Sequence, residues 1–596
     1  MCATRSQTDA ETANSKAHTY ARAKEADTMP EMNWWQQAVC YEVYLPSFAD
    51  GNGDGVGDLT GLIHKLDYLK DLGIDAIWLS PHYPSPMYDC GYDIMDYKAV
   101  GEQYGTMADF QRLLHGAHQR GIRLVLDLVL NHTSDQHPWF IQSRGNLTNP
   151  KRDWYVWRSG SHHAPPNNWA SRFGGSAWEY DPITEQYYYH YFFKQQPDLN
   201  WRNLEVKQAM WDVVRFWLDL GVDGFRLDAI DQLLEHPDWP DHDVESSLVT
   251  LNCGLMSVEN RQERERLAAE KKALLQYQGD QPGLHELLRE LRSIVDEYPN
   301  RVLIGETDEI AYHGDGTNEL DLVFNFPLMR ADPLSPHVVR KNQRDRLAKL
   351  PPGGWPCNTL NNHDASRAIS RYADEGSYAS MARICIALLL TLRGTPFLYQ
   401  GEEIGMTDLE PDDPTAFRDM ISVWIYHAAI EELGIEPSKA LQIAVRFGRD
   451  KCRTPMQWTA GPNAGFSPGD VQTWLPVNPN YRQGINVADQ WDDPDSVLSF
   501  YRRLLSIRKQ NPALIAGDYE PLDEQAQGYL AFLRRSPACG QTCLVVLNMC
   551  DQPQTLHFAL GVPRARLVFS SQRRNASDSL LELSIAPFEI YIGEID

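Results

Sequence analysis

The chain has 596 residues, with 55 Lys and Arg against 81 Asp and Glu, which gives a formal net charge of −26. Hydrophobic residues make up 42% and aromatic residues 11%, enough for a large core, so disorder is excluded for the bulk of the chain. The acidic excess argues against nucleic acid or an anionic membrane surface as the main partner, because both would repel it, whereas a neutral or cationic small molecule fits.

The N-terminal segment 1–33 is polar and has no apolar run, so we interpret it as a disordered extension rather than a signal peptide. No later stretch is long and apolar enough to span a bilayer; the best run, from Ile384 to Leu392, stops at Arg393. The ten cysteines are scattered through the chain, which favours reduced thiols and a cytoplasmic location.

From residue 39 onward, short apolar runs alternate with amphipathic helical patterns. Alternating β and α segments whose strands are apolar on both faces are typical of parallel βα units. Eight such units predict a (β/α)8 TIM barrel. The strand-like runs are 39–48, 76–80, 123–130, 224–230, 302–305, 320–326, 359–360 and 395–399, and the clearest helical patterns are 62–72, 107–120, 207–220 and 284–297.

Three segments depart from this alternation. Segment 133–200 is rich in Trp, Tyr, Gly and Pro and is too long for a loop, so we expect an inserted subdomain B after the third strand. Segment 407–446 is a second insertion with partly helical patterning. After a helix at 496–509, short runs separated by polar turns predict a C-terminal antiparallel β domain over 512–596, which leaves 34–132 and 201–511 for the barrel.

Carboxylates stand where several predicted strands end. Arg226 and Asp228 share one face of the fourth strand, and a neighbouring Arg keeps a carboxylate ionised. Glu306 ends the fifth strand and Asp364 follows the seventh, accompanied by His132 and His363. Barrel active sites lie at the carboxyl ends of the strands, so these groups are expected on one rim. A pair such as Asp228 and Glu306 can cleave a glycosidic bond, with retention at a separation of ~5–5.5 Å and inversion at ~6.5–9.5 Å.

An ordered set of segments resembles glycoside hydrolase family 13, the α-amylase family, and within it the bacterial α-glucosidase and oligo-1,6-glucosidase branch. The resemblance extends from Trp34 to the C-terminus. The segments that carry it are 50–59 (DGNGDGVGDL), 127–132 (DLVLNH), 196–200 (QPDLN), 224–228 (GFRLD), 305–306 (GE), 361–364 (NNHD), 400–405 (QGEEIG) and 453–458 (RTPMQW).

The resemblance implies a role for each matching residue on the rim. Asp228 would be the nucleophile that forms a β-glucosyl-enzyme, and Glu306 would be the proton donor. Asp364 would grip the hydroxyls of the glucose as its ring distorts. His132 and His363 would hydrogen-bond the same sugar, and Arg226 would position the nucleophile.

The resemblance also implies a pocket that is closed beyond the non-reducing end of the substrate. Asp89 would close it in a pair with Arg453, and Tyr92 would stack on the sugar ring. Phe173 and Phe192 would line the pocket mouth, although buried aromatic residues often only pack a core. A closed end implies an exo-acting enzyme on short oligosaccharides or glucosides.

A glycine-rich loop follows the first strand and carries oxygen-bearing side chains at even spacings, which suits a hard cation. The ligands would be Asp50, Asn52, Asp54 and Asp58, and the resemblance adds the carbonyl of Val56. It implies a structural Ca²⁺, with Mg²⁺ as the alternative. Position twelve of the loop is Gly61 instead of Glu, which argues against a sensor EF-hand.

The expected function is that of a retaining, exo-acting α-glucosidase on short α-glucosides, with transglucosylation as an additional outcome. Ala229, after the nucleophile, favours α-1,4 bonds, because relatives that prefer α-1,6 bonds carry Val there. The alternatives are a trehalose synthase-type isomerase, a trehalose-6-phosphate hydrolase, for which the sequence offers no clear basic cluster, and a catalytically silent relative acting as a binding or transport subunit. The sequence leaves the oligomeric state open.

Overall fold

The structure, a computed structural model, describes residues 32–161, 164–258, 260–374 and 376–595. Nearly all of the extension predicted over 1–33 lies outside these residues. No helix in the described part of the chain is long and apolar enough to cross a membrane.

Eight parallel strands form a nearly closed barrel, in the order β7-β8-β1-β2-β3-β4-β5-β6. The predicted (β/α)8 barrel is therefore confirmed. The strands are β1 (Cys40–Val43), β2 (Ala76–Leu79), β3 (Arg123–Val129), β4 (Gly224–Asp228), β5 (Val302–Gly305), β6 (Leu322–Val323), β7 (Cys357–Thr359) and β8 (Thr395–Tyr399). The first predicted strand is too long: β1 ends at Val43 and a 3₁₀ turn takes over at Leu45–Ser47, because Pro46 has no N–H to extend a ladder.

Helices cover the outside of the barrel. Met107–Gln119 shows why they form: Thr106 and Asp109 make a reciprocal capping box at its start, and its buried side chains lie on one stripe facing the strands. The helices around the barrel are Trp34–Gln37, Leu59–His64, Leu66–Leu72, Met107–Gln119, Leu204–Leu220, Leu284–Val295, Phe326–Met329, Pro336–Leu347, Ala368–Tyr372, Tyr378–Thr391, Val487–Trp491, Val497–Gln510 and Pro512–Ala516.

The segment after β3 contains a helix, Pro138–Gly145, and a three-stranded antiparallel sheet of Trp157–Arg158, Trp178–Asp181 and Gln186–Tyr189. Its core is aromatic: Trp169, Trp178 and Tyr189 are buried together. Many of the Trp and Tyr residues that marked this segment in the sequence are therefore used for packing.

Four helices form what we call the helical cap: Leu248–Ser257 and Arg261–Leu275 after β4, and Met420–Glu431 and Pro437–Phe447 after β8. The first pair packs against the second around Val249, Ile425 and Ala444. The helical part of the second insertion was predicted, whereas the first pair was not. Arg261–Leu275 buries only Leu267 and Leu274 and is otherwise polar or charged, so its hydrophobic pattern is weak.

The C-terminal part forms a six-stranded antiparallel sheet and a separate two-stranded one, which confirms the predicted β domain. Its strands are Asp518–Leu522, Tyr529–Ser536, Gln541–Asn548, Gln554–Leu556, Arg564–Ser570, Ser577–Ser579, Leu583–Ile585 and Ile590–Glu594. Arg534 and Arg340 join it to the barrel through backbone carbonyls.

Candidate active site

The carboxyl ends of the barrel strands open into a cavity of about 1050 Å³. Eight of the eleven side chains predicted for catalysis or substrate binding line it: Asp89, Tyr92, His132, Phe173, Phe192, Asp228, Glu306 and Asp364. The other three, Arg226, His363 and Arg453, are buried behind its wall and hold the lining carboxylates in place.

Arg226 is the centre of the charge network below the cavity. One guanidinium nitrogen, Nη1, donates to Asp228 Oδ1 at 2.7 Å and to Asp127 Oδ1 at 2.8 Å. The other, Nη2, lies 2.9 Å from Glu306 Oε2. One buried cation thus holds three carboxylates, and two of them belong to the predicted catalytic pair. Residues two apart in a strand point to the same face, and this spacing lets Arg226 reach Asp228 on β4.

Asp228 and Glu306 interact directly as well as through Arg226. Burial and the adjacent Glu306 carboxylate raise the pKa of Asp228 well above its usual range, although the Arg226 charge opposes the shift. Both carboxylates lie against the same guanidinium, with Asp228 Oδ1 2.7 Å from Arg226 Nη1 and Glu306 Oε2 2.9 Å from Arg226 Nη2. Two carboxylates placed so close together share one proton, so one group is acidic while the other carries the charge.

Asp364 is placed in a strongly cationic environment. Its Oδ1 lies 2.5 Å from Arg453 Nη2, 3.5 Å from Arg449 Nη1 and 3.4 Å from His363 Nε2. Burial alone would raise the pKa of Asp364, but the neighbouring His363 and the two guanidinium groups hold it well below its usual range. Asp364 is therefore ionised throughout the neutral range and can accept hydrogen bonds from sugar hydroxyls.

A stack of rings forms the wall beside Asp364. The His363 ring lies parallel to Tyr92 and to Tyr44, with centroids 5.4 Å apart in each case. Its Nδ1 contacts Glu42 Oε1 at 2.5 Å, and its Nε2 contacts the Tyr92 hydroxyl at 2.7 Å. Burial lowers the pKa of His363 well below its usual value, so the ring is neutral. This neutral ring fixes the position of Tyr92 on the cavity surface.

The closed end of the cavity is built from Asp89 and Arg449. Arg449 Nη2 lies 2.7 Å from Asp89 Oδ1, and Gln196 Nε2 donates to Asp89 Oδ2 at 3.0 Å. The predicted pairing of Asp89 with Arg453 is wrong, because Arg453 turns to Asp364. The partner of Asp89 is Arg449, from the segment that follows the helix Pro437–Phe447. Arg449 also donates to a second carboxylate, Asp419, from Nη2 to Oδ1 at 2.8 Å and from Nε to Oδ2 at 2.9 Å.

The family model of the α-amylase catalytic domain matches residues 42–517 of the chain, which include all the residues of the site described above. The chain belongs to the α-amylase family. It is a glycoside hydrolase, and Asp228, Glu306 and Asp364, the three carboxylates predicted from the sequence, all line the one cavity.

Proteins similar to this chain include glucosidases and a trehalulose synthase. An oligo-1,6-glucosidase of Parageobacillus thermoglucosidasius is 38% identical over 95% of this chain and 99% of its own length. An α-glucosidase of Pediococcus pentosaceus is 41% identical over 84% of this chain and 89% of its own. The solved trehalulose synthase MutB of Pseudomonas mesoacidophila MX-45 matches with a TM-score of 0.85 at 38% identity, covering 95% of this chain and 100% of that one.

Two aromatic residues of this α-amylase-family site line the cavity beside the residues of its closed end. Phe173 and Phe192 are half-buried, with ring centroids 5.2 Å apart, and the Arg449 guanidinium lies 5.8 Å from the Phe173 ring. His132 meets the edge of Phe192 at 5.2 Å and also contacts Gln196 at 2.9 Å. Both rings are therefore cavity surface as well as packing.

Sequence reasoning missed three residues of this site. Arg449 and Asp419 complete the closed end, and Glu42 supports His363 from inside β1. Glu42 left a signal, because it is a charged residue in the middle of a run predicted as a buried strand. Arg449 gave no such signal in the sequence, because the cap helices that bring it to Asp89 lie outside the βα alternation from which the barrel was predicted.

The glycine-rich loop folds around its own carboxylates. Asp50 accepts the amides of Gly53 and Gly55 at 2.5 and 2.8 Å, and Asp58 accepts the amide of Gly61 at 2.8 Å as the cap of the next helix. No group of three or more His, Cys, Asp or Glu in the described ranges is placed to hold a metal ion. A cation here would need the amide oxygen of Asn52 and the Val56 carbonyl beside the carboxylates; an all-oxygen set of this kind fits Ca²⁺.

Proposed function

We propose that the protein is a retaining, exo-acting α-glucosidase that releases α-glucose from the non-reducing end of short α-glucosides. The observation that carries this proposal is that Asp228 and Glu306 both lie on one Arg226 guanidinium, at 2.7 and 2.9 Å, which brings the two carboxylates close together. Such closeness supports retention at ~5–5.5 Å, because an inverting pair leaves room for a water at ~6.5–9.5 Å.

In the first step, a carboxylate oxygen of Asp228 attacks the anomeric carbon of the terminal glucose. Arg226 holds Oδ1, which leaves the other oxygen for the attack. The glycosidic C–O bond breaks as Glu306 protonates the departing oxygen. In the second step Glu306 takes a proton from water, and the resulting hydroxide displaces Asp228 from the sugar, so that two inversions give net retention.

Exo action follows from the closed end. Asp89 and Arg449 occupy the space that a further sugar beyond the non-reducing end would need, and both are largely buried. The cavity can therefore hold one terminal glucose against Tyr92 and Asp364, with the aglycone extending toward the cap. A preference for α-1,4 over α-1,6 bonds rests on Ala229, although one of the relatives above is named for the 1,6 linkage.

A proton NMR time course tests this function in one tube holding equal maltose, isomaltose, trehalose and sucrose. We expect α-glucose as the first product, with maltose consumed first and new glucosyl linkages appearing where transfer occurs. Early β-glucose would overturn the retaining mechanism, and conversion of maltose into trehalose would make the protein an isomerase. Asp228→Asn should lower turnover by about 10⁴-fold without changing the unfolding midpoint.

The structure also favours a hydrolytic role over a silent binding subunit, because Asp228, Glu306 and Asp364 all line one cavity. A cytoplasmic location remains part of the proposal: each of the nine cysteines in the described part of the chain is free, and seven are buried.

We further propose a structural Ca²⁺, or Mg²⁺, in the loop of Asp50, Asn52, Asp54, Val56 and Asp58. The loop is tied to segment 466–474 by Asp50 N to Phe466 O and Trp474 N to Gly55 O, each 3.0 Å. A bound ion would thus stabilise two segments together. Addition of EDTA should lower the unfolding midpoint and Ca²⁺ should restore it, whereas Asp54→Asn should abolish the response. A midpoint insensitive to EDTA in a metal-loaded sample would refute the site.

A further inference from the structure

Besides Arg449 at the closed end and Arg371, which is held by backbone carbonyls, four arginines line the same cavity, and they come from four separate segments. Arg172 belongs to subdomain B, Arg264 and Arg446 to the helical cap, and Arg330 follows the helix Phe326–Met329. Arg264, Arg330 and Arg446 are exposed, so they stand at the mouth, whereas Arg172 is half-buried. A cationic mouth is unexpected on a chain whose net charge is −26.

Two of these guanidinium groups, those of Arg172 and Arg330, contact neither a carboxylate nor a backbone carbonyl in the described part of the chain, whereas Arg446 lacks a carboxylate but donates to the Met256 carbonyl at 3.1 Å. In the described part of the chain, no Asp or Glu oxygen lies within 4.0 Å of the Arg172 or Arg330 guanidinium. Arg330 instead lies over the Phe326 ring at 4.9 Å. Arg449, at the closed end, contrasts with them, because it contacts Asp89, Asp364 and Asp419.

A third cation stands behind the same wall. Lys271 of the cap donates from Nζ to Asn252 Oδ1 at 2.7 Å and lies 5.8 Å from the ring of Phe447, which lines the cavity. Burial, together with the smaller effect of the Arg172 and Arg330 charges, lowers the pKa of Lys271 to about 7. Arg172, Lys271 and Arg330 therefore repel one another across a shared region.

Three further carboxylates, Asp231, Asp308 and Asp332, line the cavity, but none of them contacts Arg172 or Arg330 in the described part of the chain, and burial raises the pKa of Asp231 to about 7. Asp308 and Asp332 are exposed. Among the described residues, Asp332 Oδ2 lies 3.8 Å from Arg264 Nη1, and Asp308 forms no ion pair with the four arginines. An anion entering among Arg172, Lys271 and Arg330 would remove the repulsion and gain charge-assisted hydrogen bonds. Neutral sugar hydroxyls would need no such concentration of positive charge.

We infer that the aglycone side of the cavity binds a negatively charged group, a carboxylate or a phosphate carried by the aglycone, among Arg172, Lys271 and Arg330. This inference rests on the proposed glucosidase function and specifies its substrate class as α-glucosides with anionic aglycones. In the reaction, the glycosidic C–O bond breaks and water supplies the hydroxyl to glucose and the proton to the aglycone oxygen, so the anion leaves with its charge unchanged.

The test compares two substrates that differ in one group. Maltitol and maltobionate carry the same α-1,4-linked glucose on an open six-carbon aglycone, which ends in CH₂OH in the first and in a carboxylate in the second. We expect kcat/KM for maltobionate to exceed that for maltitol by about ten-fold or more at low salt, and the ratio to fall as salt screens the charges. Arg172→Gln and Arg330→Gln should each lower the ratio, and the double variant should bring it to about one.

A surface variant serves as the matched control. Arg215→Gln removes an exposed cation that pairs with Glu297 outside the cavity, and it should leave the substrate ratio unchanged. Unfolding midpoints of the variants, equal to that of the unmodified protein, show that a change in ratio is local. For phosphate, glucose 6-phosphate should inhibit maltitol hydrolysis more strongly than glucose, and the difference should vanish in the double variant.

The outcomes separate the two proposals. Preference for maltobionate alone identifies a carboxylate site and selective inhibition by glucose 6-phosphate alone identifies a phosphate site; both support the inference. Equal or faster maltitol hydrolysis, together with equal inhibition by glucose and glucose 6-phosphate, overturns it and leaves the glucosidase function standing. If no glucoside is cleaved, the proposed function fails, and calorimetric binding of glucose 6-phosphate against glucose still decides whether the anion site exists.

Discussion

Glu306 accepts a hydrogen bond from the backbone amide of Ala229 at 3.0 Å, and Ala229 is the residue that follows Asp228. The end of β4 therefore holds the side chain that follows β5, and the proposed proton donor is positioned by the backbone next to the proposed nucleophile. Oε2 takes this amide and the Arg226 charge, which leaves Oε1 to carry the proton. The first prediction follows from the different contacts of the two Glu306 oxygens.

Glu306→Gln keeps an oxygen that can accept the Ala229 amide but has no acidic proton to deliver. We expect kcat/KM on maltose to fall by about 10²–10⁴-fold, because the sugar leaving group needs protonation. On 4-nitrophenyl α-glucoside, whose leaving group departs as an anion, the loss should be below about ten-fold. Asp228→Asn is the control, since it should abolish both reactions; equal losses on both substrates in Glu306→Gln would refute the donor role.

The pH profile should report the proton shared by Asp228 and Glu306. Burial and the Glu306 charge raise the pKa of Asp228, so the pair holds one proton above the usual carboxyl range. As pH rises the shared proton is lost and kcat/KM falls; as pH falls a second proton neutralises the nucleophile and kcat/KM falls again. In Glu306→Gln on the nitrophenyl substrate the alkaline limb should disappear. Its persistence would assign that limb to another group.

How much of this site the sequence predicts depends on what positions each residue. Asp228 and Glu306 stand at strand ends, and the barrel rule alone brings such residues to one rim. Asp89 was predicted as well, but its partner was predicted wrongly. The pairing with Arg449 depends on the three-dimensional path of the long insertion that precedes Arg449, and this path cannot be read from the sequence. Arg453 and Arg449 are four residues apart in the sequence, and only the fold shows which one faces Asp364 and which one faces Asp89.

The helical cap illustrates the same limit for the fold. Met107–Gln119 was predicted because its apolar stripe packs on strands and its ends carry capping residues. Arg261–Leu275 packs mainly on the preceding helix, Leu248–Ser257, through two buried leucines, so the sequence carries little periodic signal. The unpredicted helix pair contributes Met256 and Arg264 to the lining of the cavity.

Arg449→Met tests the closed end. The variant leaves Asp89 and Asp419 buried without their cation, and the strong pairing with Arg449 that holds the pKa of Asp419 at about 2 is lost. Removing one partner of a buried pair costs about 3–5 kcal/mol, so the unfolding midpoint should fall clearly. KM for maltose should rise, because the end wall loses its rigidity.

Two controls make the Arg449 result specific. Arg449→Lys keeps one cation and should recover part of the stability. Arg215→Met breaks an ion pair with Glu297 that is equally short, 2.7 Å, but exposed, so it should cost only about 0–1 kcal/mol. A midpoint drop as small for Arg449→Met as for Arg215→Met would contradict a structural role for the Asp89–Arg449–Asp419 network.

Ala229 should set the linkage preference, because its side chain lines the cavity directly after the nucleophile. Its backbone is left-handed, with φ at 47°, so a β-branched residue there costs about 1–2 kcal/mol. Ala229→Val adds two methyl groups to the wall nearest the aglycone. An α-1,4 aglycone lies against that wall, whereas an α-1,6 bond has an extra CH₂ that can carry the aglycone away from it.

We therefore expect Ala229→Val to lower kcat/KM for maltose by about 10-fold or more relative to isomaltose. Ala229→Gly is the control: it relieves the left-handed conformation, adds no bulk and should leave the maltose-to-isomaltose ratio unchanged. The comparison separates shape from strain, since strain alone would lower the unfolding midpoint and slow both disaccharides equally. Equal slowing in Ala229→Val would show that the aglycone does not reach Ala229, and the α-1,4 preference would then have to come from the helical cap.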